Sequence, residues 1–183
     1  MSETLSKALV LTMLQHGEDF PCRMQDIGLM SLRLDDRREY RLHVRDPSSC
    51  EGEPPVHDHP YDFTSTIIAG EMANARYEVD PAGDEYVRFR FPPGAEGERW
   101  SDPVTLSSAA TVFAEGDQYR QLAHELHAGW PQPGTVTAIR CRSVVRPELT
   151  VCVQDEASRC SGRGRDATRQ DIQAFTAKAL EWF

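Results

Sequence analysis

The chain has 183 residues, of which 39% are hydrophobic and 27% charged, and its formal net charge is −9. That length and balance suit a single soluble domain over residues 1–183, with room for a core and for terminal helices. An acidic chain repels phosphate backbones, which argues against nucleic acid as the main partner, and the absence of any run of about 18 apolar residues argues against a membrane span.

In chain order, Ser2 can cap a helix over about residues 2–16, with Leu5, Leu9, Thr12, Met13 and His16 at helical spacing and Gly17 as the stop. The apolar stretch Ala8–Leu14 lacks the basic flank and cleavage site of a secretory signal, so it reads as a helix of the mature protein. The period then changes to two. Met30, Leu32 and Leu34 alternate with polar residues, as do Tyr40, Leu42 and Val44. Arg41, His43 and Arg45 fall on the other face of that strand, which reads as a solvated face.

After the loop Asp46–Pro55, strands are expected at His57–Ile68, Ala73–Val79 and Tyr86–Phe91, with a turn at Asp80–Asp84 and a polar loop at Pro92–Asp102. Further strands are expected at Val104–Leu106, Ala110–Ala114, Gln118–Leu126, Thr135–Arg142 and Leu149–Gln154. Many short strands with turn signals at this spacing predict a mainly β sandwich or barrel over about residues 28–155. A polar linker, Ser158–Arg165, leads to a last helix over about residues 167–183. Its Ile172, Phe175, Ala179 and Phe183 form one face, which is expected to pack on the outside of the barrel.

The five cysteines are Cys22, Cys50, Cys141, Cys152 and Cys160. An odd number without a CxxC pair fits reduced thiols and a cytoplasmic location. Cys141 and Cys152 flank an expected turn and could face each other across two strands.

The segment Val56-His57-Asp58-His59-Pro60-Tyr61-Asp62-Phe63-Thr64-Ser65 is the most informative. Residues two apart on a strand share a side, so His57 and His59 can converge on one ion. Neutral imidazole is the common ligand for first-row metals. Tyr61, Phe63 and Ser65 would share that face and supply the mostly apolar wall of a small-molecule pocket.

With these residues the chain resembles the cupin superfamily, over roughly residues 30–155. His57-Asp58-His59 followed by Gly70 matches the family's first motif, and Gly116-Asp117 with His127 ten residues after the Asp matches the second. The resemblance implies a double-stranded β-helix, or jelly-roll barrel, with His57, His59 and His127 as metal ligands. Leu122 and His124 stand where the family usually has Pro and Gly. The family's glutamate position falls on Phe63 or Thr64, so the site resembles the three-histidine variant, as in cysteine dioxygenase. Asp62, one residue short of that position, and His124, of opposite parity to His127, remain alternative ligands.

Tyr119 and Gln121 share a face with His127 and join Tyr61, Phe63 and Ser65 as pocket candidates, and so does Glu125. Arg76, Arg88, Arg90 and above all Arg140, on an expected central strand, could grip a carboxylate. His43 is a candidate for supporting the ligands by hydrogen bonding. There is no Walker motif, GxGxxG or GxSxG. The resemblance implies a metal-dependent enzyme, foremost a dioxygenase with Fe(II), with Zn, Ni, Mn or Cu as alternative ions. It also implies a small-molecule substrate and a homodimer. A non-redox metal enzyme (isomerase, lyase or decarboxylase) and a non-catalytic binding protein remain open beside it.

Overall fold

A computed structural model describes residues 6–25, 27–36, 39–46, 54–91, 100–145, 148–154 and 164–183. Helix α1 (Lys7–Gln15) leads into twelve strands: β1 (Cys22–Gln25), β2 (Leu29–Arg33), β3 (Tyr40–Arg45), β4 (Val56–His57), β5 (Tyr61–Ala69), β6 (Glu71–Phe91), β7 (Trp100–Ala114), β8 (Gln118–Gln121), β9 (Leu126–Pro131), β10 (Val136–Val144), β11 (Leu149–Val153) and β12 (Gly164–Asp166). Helix α2 (Arg169–Leu180) closes the chain. The strands form two antiparallel sheets, in the orders β12-β1-β2-β3-β10-β5-β8 and β11-β4-β9-β6-β7, and β11 also pairs with β6.

Ser6 caps α1, its Oγ accepting from Leu9 N–H at 3.3 Å, while the expected cap Ser2 and Leu5 lie outside the described residues. The buried stripe of α1 is Val10 and Leu14, and Leu9 is 44% exposed. Apolar residues run around most of this helix, so spacing alone does not choose its inner face. At the other end, Thr168 and Asp171 form a capping box: Asp171 N–H donates to Thr168 Oγ1 at 3.2 Å, and Thr168 N–H donates to Asp171 Oδ2 at 2.7 Å. Arg165 also grips Asp171, and it is the main reason that carboxyl sits well below the usual carboxylate range.

Several expected strands are organised differently. His57–Ile68 is not one strand: β4 belongs to the five-stranded sheet and β5 to the seven-stranded sheet, with Asp58–Pro60 passing between them. Gln118–Leu126 divides likewise into β8 and β9, again one in each sheet. Conversely, the turn residues at Asp80–Asp84 do not reverse the chain. Strand β6 runs through them with a slipped register in which Val79 and Asp84 both face Leu106. A Cβ on Gly83 would collide with the Leu106 carbonyl, so the turn-forming residues serve a bulge here.

The seven-stranded sheet buries both faces. On one, Met30, Leu32, Leu42, Val44 and Val136 pack with Val10, Leu14, Ile172, Phe175 and Ala179 of the helices. On the other, Phe63, Ile67, Tyr119, Ile139 and Cys141 meet Met72 of the opposite sheet. Arg41, His43 and Arg45 lie on this second face and line the cavity between the sheets. The solvated face expected for them is therefore corrected. Alternation identifies the apolar face, but it does not say that protein also covers the polar one.

Cys141 and Cys152 sit in different sheets and are free, as is Cys22, while Cys50 and Cys160 lie outside the described residues. Burial pushes the thiols of Cys22 and Cys152 up to about 11 and about 12. No helix among the described residues is long and apolar enough to cross a membrane.

Candidate metal centre

Strand β4 places His57 directly opposite His127 of β9. Asp58, 1% exposed, fixes the start of the crossover: its N–H donates to Thr150 O at 3.1 Å, and Thr150 N–H donates to its Oδ1 at 2.8 Å. At the far end Val145 N–H donates to Pro60 O at 2.8 Å. His59 rides on this short pinned bridge, its ring edge-on to Phe63 at 4.9 Å between centroids.

The three imidazoles meet. Ring centroids are 4.9 Å apart for His57 and His59, 4.7 Å for His57 and His127, and 5.1 Å for His59 and His127. One nitrogen from each lies within 4.8 Å of the others, and Nε2 of His59 is 2.9 Å from Nε2 of His127. That last spacing suits two neighbouring ligands of one ion, each at roughly 2.0–2.1 Å.

Hydrogen bonds set the tautomers. His57 Nδ1 lies 2.9 Å from Pro55 O, which can only accept, so the proton is on Nδ1 and the Nε2 lone pair is free. His127 Nδ1 donates in the same way to Asn74 Oδ1 at 2.8 Å. A partner on the far ring nitrogen is the usual support of a metal-bound histidine. Burial lowers the pKa of all three rings, well below the ordinary histidine range for His59 and His127, so they are neutral near pH 7. Neutral rings turned together, two of them with the proton held on Nδ1, fit a first-row metal ion.

The adjoining cavity has about 80 Å³ of free space. Tyr61, Phe63 and Tyr119 line it, together with the three histidines and Arg41, His43 and Arg45. Both ring nitrogens of His43 are buried without a hydrogen-bond partner, and burial holds its pKa well below the ordinary range. Arg41 Nη1 donates to Tyr61 Oη at 2.9 Å. Ser65 and Gln121 are fully buried on the same strand faces, opposite Tyr119 and Phe63 respectively, but they do not line the cavity.

Other candidates stand apart. His124 is exposed in the turn between β8 and β9, because that segment is not a continuous strand. Asp62 accepts from Ala123 N–H at 3.0 Å and pairs with Arg120 at 2.9 Å, outside the histidine group. Arg140 is exposed with its guanidinium 5.5 Å from the Tyr40 ring centre, since its position in β10 falls on the face away from the cavity. Arg88 pairs with Asp102, exposed Arg76 donates to Arg120 O at 2.6 Å, and neither they nor Arg90 line the cavity. Glu125 accepts from Leu122 N–H at 2.9 Å and braces the turn.

Four residues of the site escape sequence reasoning. Arg41 and Arg45 share the period of His43, so turning that histidine inward would have found them. Asp58 and Asn74 depend on which strands become neighbours, and no local pattern marks them.

No family model matches the chain, and no curated protein matches it. Several solved structures are similar, among them two at very low identity. One is a cupin-like protein from Thermotoga maritima, 10% identical over 84% of this chain and 86% of that one, with a TM-score of 0.27. The other is Drosophila melanogaster CENP-C bound to CAL1, 9% identical over 80% of this chain and 96% of that one, with a TM-score of 0.28. Neither superposition is close enough to bear on function, which rests on the geometry above.

Proposed function

We propose that the chain is a metal-dependent enzyme of the cupin type, a double-stranded β-helix holding Fe(II) through His57, His59 and His127, and that it oxygenates a small organic molecule. The supporting observation is the convergence of three neutral imidazoles in a small cavity with no Asp or Glu among its described lining residues. An iron(II) ion with three neutral ligands keeps its full charge and supplies Lewis acidity and redox chemistry.

The chain's own residues do the rest. Pro55 O and Asn74 Oδ1 hold two ligand rings in the tautomer that offers Nε2. The Asp58 bridge to Thr150 fixes the backbone between the two leading histidines. Phe63 and Met72 cover the cavity with apolar surface and exclude water. Tyr61, tethered by Arg41, has its phenol pKa raised by burial, so it stays a proton donor at neutral pH.

Elemental analysis of freshly purified protein, followed by oxygen-electrode measurements with small organic acids and thiols, tests this reading. A stoichiometric ion is expected in the wild type and a much reduced content in His57→Ala and His127→Ala. Equal metal content in the variants rejects the centre. Iron retained without oxygen uptake rejects the oxygenase and leaves Lewis-acid chemistry on the same ligands.

A further inference from the structure

The three histidines form only one part of this cavity's wall. The opposite wall is β3, which presents Arg41, His43 and Arg45 to the same space. Arg41 is tethered to Tyr61, a neutral phenol. Arg45 Nε is buried and lacks a hydrogen-bond partner, as do both nitrogens of His43. No Asp or Glu is among the described residues lining the cavity. Two guanidinium groups thus line the same cavity as the histidines, and a divalent ion on the histidines would add to the same positive field. Positively charged side chains around a small cavity suit a ligand that brings negative charge.

Size and lining narrow the class. About 80 Å³ of free space admits a ligand on the order of half a dozen non-hydrogen atoms, since one water needs roughly 10–15 Å³ on this measure. Leu29, Phe63, Met72 and Ile139 line the cavity beside the polar groups. Apolar side chains suit a short carbon segment, whereas a compact inorganic anion would leave them facing charge.

We infer that the cavity binds a small organic dianion, one acidic group directed to the three imidazoles and the other paired with Arg45 and hydrogen-bonded by His43. This assignment rests in part on the metal reading, because the first acidic group answers the ion. The Arg45 half stands without it.

Calorimetric titrations of the full-length protein, with and without added Fe(II) under anaerobic conditions, test the assignment using malonate, acetate, malonamide and sulfate as probes. Malonate is expected to bind roughly tenfold or more tightly than acetate, with no measurable binding of malonamide. Arg45→Gln is expected to weaken malonate by roughly tenfold or more, with metal content unchanged, and Arg45→Lys to fall between. Without ligand, Arg45→Gln should melt at or above the wild-type temperature, because a buried guanidinium with an unpartnered Nε has been removed.

Malonamide binding as well as malonate, or unchanged malonate affinity in Arg45→Gln, overturns the inference. Sulfate binding more tightly than malonate overturns the organic part of it. If the protein retains no metal yet malonate binding still depends on Arg45, the metal centre fails and the anion subsite stands. If metal is retained and no anion preference appears, the reverse holds. Should Arg45→Gln fail to fold, Arg45→Lys and the wild-type probe series decide the matter.

Discussion

The two faces of the seven-stranded sheet are built from the same strands and obey opposite rules. On β3, Leu42 and Val44 are fully buried against the helices, while Arg41, His43 and Arg45 face the cavity. The helix-side face is centred on a buried apolar layer formed by Met30, Leu32, Leu42, Val44 and Val136 against the helices. The cavity-side face carries unpartnered polar atoms on His43, Arg45, Ser65 and Gln121. The first face is the one whose burial favours stability, and the second carries buried polar groups that cost some of it.

Adjacent residues on one strand give the sharpest way to break this contrast. Leu42→Ala should cost about 2–5 kcal/mol in urea unfolding, because it opens a hole in the helix-side layer. His43→Leu, its neighbour on the other face, should leave stability unchanged or raise it, since two unsatisfied ring nitrogens disappear. A loss in His43→Leu comparable to that of Leu42→Ala would show that the cavity wall is structural after all.

Acid should strike the cavity side next. His43, His57, His59 and His127 all have folded-state pKa values lowered by burial. The unfolded chain therefore binds more protons than the folded one below the ordinary histidine pKa of about 6.5. Metal-free protein should keep this part of its stability above that pH and lose it progressively as pH falls below it. Thermal melts from pH 8 to pH 5 check the sign, and a His57→Ala, His127→Ala double variant should show a shallower decline.

Smaller effects separate bracing from capping. Asp58→Ala should cost about 1–3 kcal/mol, because Thr150 N–H loses its acceptor in a buried place, and metal retention should fall with it. Thr168→Ala should cost about 1 kcal/mol by uncapping α2, with metal retention untouched. Denaturant midpoints and elemental analysis of the same samples distinguish the two.

Parts of this arrangement can be read in the chain alone. Helix α2 is legible because Thr168 and Asp171 mark its start and a single stripe, Ile172, Phe175 and Ala179, marks its inner face. Helix α1 is legible as a helix but not in orientation, since Leu9 and Val10 compete for the core and only packing chooses Val10. His57 and His59 stand out by spacing, yet strand parity does not account for their meeting, because His59 lies in the crossover. The Gly116-Asp117 offset points to His127, and the register of β4 with β9 sets that residue beside His57. Sheet switching at Asp58–Pro60 and at residues 122–125 leaves no periodic trace. Long-range pairing creates it, and with it the inward turn of β3.

That switching point ties binding to mechanics. His57 belongs to one sheet, and His59 stands on the path into the other, beside Phe63 of β5. An ion shared by them and by His127 would join the two layers where the chain steps from one to the other. If its release is limited by separation of the layers, the rate at which a strong chelator strips the ion would report the breathing of the β framework. Sub-denaturing urea should then raise that rate while leaving circular dichroism unchanged.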